Sequence, residues 1–461
     1  MNYVSTRGQS APRSFADVLL SGLASDGGLT LPQAWPQIGA QEIAGFAGRS
    51  YADVAFAILS RFVGDSFSQA DLRTDVAAAY AGFDDPAIAP LVALGQNRYV
   101  LELFHGPTLA FKDIAMQVLA RLFARALVAR GGRATILAAT SGDTGSAAIA
   151  AFGGLPNIEL FVLHPKDRVS EVQRRQMTTA AFTNVHNIAL EGTFDDAQSL
   201  VKSLFADADF ARAANLTAVN SINFARIAAQ AVYYVTAAAQ LEAPPVFVVP
   251  TGNFGDVFAG EAAMRMGLPI RRLIVATNAN DILVRALRDG VYESGAAHRT
   301  LSPSMDIQVA SNFERALFDA SGRDAAWVAQ AMAAFATTRR LELPQPVLND
   351  LRARYSAVSC SDAQTLAAIA RQYEEHGRLI DPHTAVAMVA AETLEQSAAV
   401  PVVVLSTAHP AKFPDAVRRA TGITPELPAR LRDIHSRQER YETLPADVGR
   451  VRTFIERELD C

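Results

Sequence analysis

The sequence predicts an α/β protein built on parallel sheets, and three observations lead there. Short apolar, β-branched runs recur at Arg98–Phe104, Ala134–Thr140, Ile158–Leu163, Val185–Leu190, Val246–Pro250, Leu273–Thr277 and Val402–Ser406. Amphipathic or Ala-rich helical stretches separate them, the alternation that buried parallel strands and crossover helices require. At several of the junctions the run passes into a loop of glycine and small polar residues before a helix begins. That is where open α/β sheets bind ligands.

The bulk properties fit this class. With 461 residues, 50% of them hydrophobic and 19% charged, the chain has the length for more than one domain and a large core. The net charge of −5 comes from 42 basic and 47 acidic residues with no block of either sign, which argues against a nucleic-acid partner and a disordered acidic tail. Two cysteines, Cys360 and Cys461, make neither a disulfide framework nor a CxxC metal site. No apolar signal segment opens the chain, and the longest uncharged stretch, Ile227–Leu241, is too short and too polar to span a bilayer. The expectation is a cytoplasmic protein with no membrane partner and no metal.

Taken in order, residues 1–80 read as an N-terminal unit. A strand at Tyr3–Thr6 leads to helical stretches near 14–24 and 50–63, with the turn-rich DGGLTLPQAWPQ between them. Residues 81–461 hold the alternating pattern. Ala-rich helices cover 225–240 and 364–394, while 279–345 carries few strand signals and reads as helices and loops.

Four loops carry chemistry-bearing residues. FHGPTLAFKD, residues 104–113, places Lys112 at the mouth of a helix whose apolar positions are Ile114, Val118, Leu119, Leu122, Phe123, Ala126 and Leu127, and which Gly131 and Gly132 stop. A cation beside the positive end of a helix is disfavoured, so the amine is a candidate for Schiff-base chemistry; a plain surface lysine is the alternative. After Ala134–Thr140 comes SGDTG, with a helix from about Gly145. Its hydroxyls and N–H groups suit an anion or a simple helix cap. After Val246–Pro250 comes TGNFGD, with a helix from about Val257. Gly252 and Gly255 let the backbone approach a phosphate, although this is neither GxGxxG nor a Walker loop. After Val402–Ser406, Thr407 offers one hydroxyl at a strand end, and His409 beside Pro410 reads as structural.

A lysine, a phosphate cradle and a strand-end hydroxyl are the partners a pyridoxal phosphate needs. FHGPTLAFKD, SGDTG, TGNFGD and STAHPAKF, with YVSTRG, LASDGGLTLP, RVSEVQRRQM and SNFER, resemble the motif set of the threonine synthase family, in that family's order from residue 3 to about 417. The resemblance implies pyridoxal-phosphate fold type II, with two α/β subdomains flanking the cofactor and the additional N-terminal unit. It implies the last step of threonine biosynthesis: O-phospho-L-homoserine and water give L-threonine and phosphate by γ-elimination and β-addition. In that scheme Lys112 holds pyridoxal 5'-phosphate as a Schiff base and moves protons. Gly252, Asn253, Phe254, Gly255 and Asp256 surround the cofactor phosphate, and Thr407 meets the ring nitrogen. Ser141, Gly142, Asp143 and Thr144 take the substrate carboxylate. Asn312 and Arg315 are the first candidates for the substrate phosphate, ahead of Arg7 and Lys166, and YVSTRG is expected to reach the cleft. The motifs leave a phospho-lyase open beside the synthase, and leave both monomer and homodimer open. Residues 279–305 and the C-terminal tail carry no placeable signal.

Overall fold

The structure is a computed structural model that describes residues 1–394 and 399–459; Cys461 lies outside them. Two sheets organise the chain. The larger has six strands in the order Tyr355–Ser359, Arg272–Thr277, Val246–Pro250, Val402–Ser406, Arg98–Glu102, Leu91–Gly95. Neighbours run parallel except the last pair, a hairpin turning at Gln96 and Asn97 with φ of 50° and 58°. Two successive left-handed residues give the turn that matches strand twist. The smaller sheet has five strands, all parallel, in the order Glu442–Pro445, Val185–Glu191, Ile158–Pro165, Ala134–Ala139, Leu216–Thr217.

Each of the seven apolar runs forms a strand. The strands missing from the sequence reading include both edges of the larger sheet, Tyr355–Ser359 and Leu91–Gly95. Their faces are half-exposed, so neither needs a continuous apolar run. The helix Gln69–Tyr80 was also missed, although Leu72, Val76, Ala79 and Tyr80 keep helical spacing behind the Ser68 cap. Residues 279–345 are mainly helices and loops, with one short ribbon pairing Val291–Glu293 and Arg340–Glu342. Among the described residues no helix is long and apolar enough to cross a membrane.

The core is continuous across the N-terminal residues. The helix Phe224–Ala238 is buried along almost its whole length. Phe62 and Tyr3 meet Phe224 with ring centroids 5.5 and 5.3 Å apart, and the helix Tyr51–Val63 packs on Phe224–Ala238. Truncating a ring such as Phe62 to Ala would cost about 3–5 kcal/mol.

Register brings the motifs together. Val402 is level with both Arg98 and Val246, so Pro250, Ser406 and Glu102 end three adjacent parallel strands at one edge of the sheet. TGNFGD, TAHPAKF and FHGPTLAFKD leave those ends side by side. SGDTG leaves the Ala134–Ala139 strand of the smaller sheet and faces them.

Candidate active site

Lys112 is the first residue of the helix Lys112–Ala129, and the preceding loop is tied down from both sides. Asp113 folds back to accept from the Thr108 amide at 2.7 Å and the Thr108 hydroxyl at 2.6 Å. The Phe111 amide donates to the Thr407 carbonyl at 2.9 Å, and the His409 amide to the Leu109 carbonyl at 3.0 Å. Lys112 is thereby fixed beside Thr407. Its Nζ lies 3.2 Å from Asp143 Oδ2. Burial lowers its pKa, Asp143 opposes this, and the nearby Lys412 and Arg226 lower it further. The cause is burial and neighbouring cations, where the sequence suggested the helix dipole.

Asp143 can contribute only its N–H to an anion, because its side chain is engaged elsewhere. Its side chain faces the lysines: Oδ2 accepts from Lys112 and, at 3.1 Å, from Ser304 Oγ, while Oδ1 accepts from Lys412 Nζ at 2.9 Å and Gln173 Nε2 at 2.8 Å. An acceptor-only group in this setting would repel a substrate carboxylate. Despite its burial, the cations Lys112 and Lys412 hold its pKa well below the usual carboxylate range. Gly142 has φ of +130°, and a Cβ there would sit 2.4 Å from Gln173 Cδ, so only glycine fits. The helix begins at Asp143, two residues before the expected start. The side chains of Ser141 and Thr144, and the N–H groups of Ser141, Asp143 and Thr144, make no hydrogen bond within the described protein. These donors remain for an anion at a helix N-terminus.

In TGNFGD the helix starts at Gly255 rather than Val257. The N–H groups of Gly252, Asn253, Phe254, Gly255 and Asp256 donate to no acceptor in the described protein. Phe254 is held at φ 64°, with its ring 5.3 Å from that of Phe313 and 5.2 Å from that of Tyr355. A non-glycine residue in this region is strained, and it turns successive N–H groups to one side as an anion cradle. Gly252 lies beneath Ser304, whose carbonyl oxygen would be 2.7 Å from a Cβ. The Asp256 carboxylate turns away from the cradle onto the Tyr233 hydroxyl and, at 2.9 Å, the Tyr234 hydroxyl. Burial raises its pKa to about 6.

The turn Pro303–Met305, in a segment with no sequence signal, spans the two sheets. Besides the Ser304 hydroxyl bond to Asp143, the Ser304 amide donates to His383 Nε2 at 3.2 Å. His383 Nδ1 therefore carries the ring hydrogen and donates to Asp381 at 2.8 Å. The Thr407 hydroxyl has no partner in the described protein, and its carbonyl holds the Lys112 loop.

Arg315 and Asn312 are not free to bind a substrate phosphate. Arg315 is 0% exposed and donates to the Thr30 carbonyl at 3.1 Å, the Ile222 carbonyl at 2.6 Å and Asn312 Oδ1. Asn312 Nδ2 donates to the Asn253 carbonyl at 3.0 Å, so the pair braces TGNFGD from behind. Arg7 and Lys166 are also taken: Arg7 pairs with Glu314 at 2.9 Å, and Lys166 lies at the surface 3.6 Å from Glu191. Thr6 donates to the same Glu314 at 2.6 Å, so YVSTRG meets SNFER rather than the cleft.

The sequence reading overlooked a different arginine. Arg226 is 3% exposed, its Nε and Nη1 are sealed from solvent without a partner, and no carboxylate pairs with it among the described residues. Burial lowers its pKa to about 10. An orphaned buried guanidinium within the field of Lys112 calls for an anion. Lys412, fully buried against Asp143, was in view within STAHPAKF, but only its partner reveals it. The donor set fits pyridoxal phosphate: a buried amine of lowered basicity, a run of unpaired N–H groups for a phosphate and an unpartnered hydroxyl.

Comparison with known proteins gives the family. Residues 2–80 match the family model "Threonine synthase N terminus", 88–343 "Pyridoxal-phosphate dependent enzyme" and 384–455 "Threonine synthase, C-terminal". The chain is 50% identical to a threonine synthase of Pseudomonas aeruginosa, over 99% of this chain and 98% of that one. The pyridoxal-phosphate-bound threonine synthase of Brucella melitensis superposes with a TM-score of 0.96 at 50% identity, over 99% of each chain. The yeast threonine synthase superposes at 0.94 with 36% identity, over 100% of this chain and 99% of that one. On these grounds the chain belongs to the threonine synthase family of pyridoxal-phosphate-dependent enzymes.

Proposed function

We propose that the chain converts O-phospho-L-homoserine and water to L-threonine and phosphate, with pyridoxal 5'-phosphate held at Lys112. The observation that carries this reading is a buried lysine, its ammonium disfavoured, beside the unpaired N–H groups of Gly252–Asp256 at the ends of adjacent strands. The cofactor, when bound, supplies an aldehyde for an amine to condense with and a ring that stabilises negative charge on neighbouring carbons.

The chain supplies the rest. The N–H groups of Gly252, Asn253, Phe254, Gly255 and Asp256 hold the cofactor phosphate, and the Asp256 carboxylate orders the loop through Tyr233 and Tyr234. The Thr407 hydroxyl would hold the cofactor's ring nitrogen. A neutral partner there tempers the ring's pull on electrons, which suits elimination and addition. Ser141, Thr144 and the free N–H groups at the start of the helix Asp143–Phe152 take the substrate's carboxylate. Arg226 takes the substrate's phosphate, because its fork is the buried cation without an acceptor. As a free amine, Lys112 Nζ would remove the α-proton, release it toward the phosphate that is to leave, then remove a β-proton and return that one to the γ-carbon after phosphate departs. Water adding at the β-carbon completes threonine. In this reading residues 1–80 are the N-terminal unit and 81–461 the catalytic region.

The test is a product assay on purified protein with cofactor and O-phospho-L-homoserine, scoring phosphate, threonine and 2-oxobutyrate together. Equal phosphate and threonine are expected. Phosphate with 2-oxobutyrate and no threonine would make the protein a phospho-lyase, and no phosphate at all would refute the substrate.

A further inference from the structure

Two lysines share one carboxylate in this cleft, and the chemistry above uses only one of them. Lys412 is 0% exposed, and its Nζ reaches Asp143 Oδ1 at 2.9 Å and the Thr108 carbonyl at 2.7 Å. Lys112 reaches the other oxygen of Asp143 at the longer distance of 3.2 Å. A lone Asp143 would create a conflict. A buried carboxylate within hydrogen-bond reach favours the ammonium form of its partner, commonly by about 1–3 pH units. An ammonium is neither a nucleophile nor a base. Yet without Asp143 the Lys112 amine would lose an acceptor that fixes its direction.

We propose that Lys412 is a positioning residue for Lys112: its ammonium takes one oxygen of Asp143, so that the other oxygen orients the Lys112 amine without holding a proton on it. Two features of the geometry make this specific. The Thr108 carbonyl that anchors Lys412 belongs to the turn clamped by Asp113, the residue next to Lys112, so the two amines are referenced to one piece of backbone. The remaining acceptor capacity of Asp143 goes to neutral donors, Gln173 and Ser304, which fix its rotamer and add no charge. The charged and titratable groups facing the pair are Asp143, Arg226, Asp256, Asp113 and His409, with His383 acting on Asp143. Of these, Arg226 reinforces Lys412, and Asp143 opposes it at Lys112.

The inference rests on the reading that Lys112 is the reactive amine, and its test measures that amine without using turnover. In the apoprotein, the rate at which an amine-reactive anhydride labels Lys112, read on its peptide by mass spectrometry across pH, gives the titration of Lys112 itself. Lys412→Met should move that titration upward by about one pH unit or more, because it removes a like charge and releases the whole of Asp143 to Lys112. Lys412→Arg should restore the original position. Lys412→Gln, which can still donate to Asp143 and Thr108, should behave like Lys412→Met and covers the case where the apolar variant does not fold. An unmoved titration in a folded Met or Gln variant would overturn the proposal, as would an equal shift in Lys412→Arg or loss of the fold in both neutral variants. Failure of the functional reading would look different: Lys112 would label as an ordinary lysine in the parent protein.

Discussion

Arg315 and Arg226 are buried to the same depth in one continuous core, and their surroundings differ in a single respect. Around Arg315 each nitrogen type of the fork finds a protein acceptor: the Thr30 carbonyl, the Ile222 carbonyl and the Asn312 side chain. Neighbouring Glu314 is likewise occupied by Thr6 and Arg7. Around Arg226 two of the donors, Nε and Nη1, are sealed in and unmet, as is Asp256 Oδ2, and the N–H groups of the TGNFGD cradle are unpaired. A buried polar group left unpaired costs about 1–3 kcal/mol, and more when charged. Where such costs fall together with a run of unpaired N–H groups, as at Arg226 and the TGNFGD loop, a ligand from outside would satisfy them. Burial alone therefore does not separate scaffold from site; a buried cation without any protein acceptor is the more telling mark.

The comparison fails most severely if the unmet side is not where reaction occurs. Lys112→Ala should lower kcat by about a thousandfold or more and abolish the visible absorption of bound cofactor. A variant keeping even a tenth of parent turnover would sink the site. Next come the two arginines, expected to behave as opposites. Arg226→Met should reduce kcat/KM for the phosphorylated substrate by roughly a hundredfold without lowering the urea midpoint, since it removes a charge the protein does not pair. Arg315→Met should instead cost about 3–5 kcal/mol in urea unfolding, with the KM of the surviving folded enzyme little changed. Matching effects in both variants would erase the distinction.

A smaller effect is expected at Asp256. Its pKa of about 6 in the fold lies above the ordinary value of 3.8, so the native state holds a proton there that the unfolded chain releases. Its contribution to stability is present below about pH 4 and is lost as pH rises to about 6, by up to roughly 3 kcal/mol in the apoprotein. Asp256→Asn can still accept from both tyrosines and should remove that slope; an identical slope in the variant would place the titration elsewhere. The smallest effect concerns free phosphate added to the cofactor-loaded enzyme. At ten times its Kd it should stabilise the parent by about 1.4 kcal/mol, and Arg315→Met to the same extent, but leave Arg226→Met unmoved in a thermal melt.

Sequence reading reached the strands and the glycine-rich loops for a physical reason. Buried parallel strands need apolar runs, and loops that approach a ligand need residues such as Gly142 and Gly252, so both leave local marks. It could not tell the two arginines apart because neither carries a local mark. Each sits near the start of a helical pattern, and what distinguishes them is which distant carbonyls the fold delivers. Thr30 and Ile222 converge on Arg315 only after the N-terminal residues pack against the helix Phe224–Ala238. Lys412 was overlooked for the same reason, since its meaning depends on Asp143 from the other sheet.

Ser304 ties the two halves of the molecule together through three of its own groups. Its hydroxyl reaches Asp143 from the smaller sheet, its amide reaches His383, and its carbonyl lies over Gly252. The hydroxyl shares with Lys112 the same carboxylate oxygen. A mechanical linkage follows. Drawing the halves apart at this turn has to part the serine from Asp143, and that alters the electrostatic setting of the Lys112 amine in the same stroke.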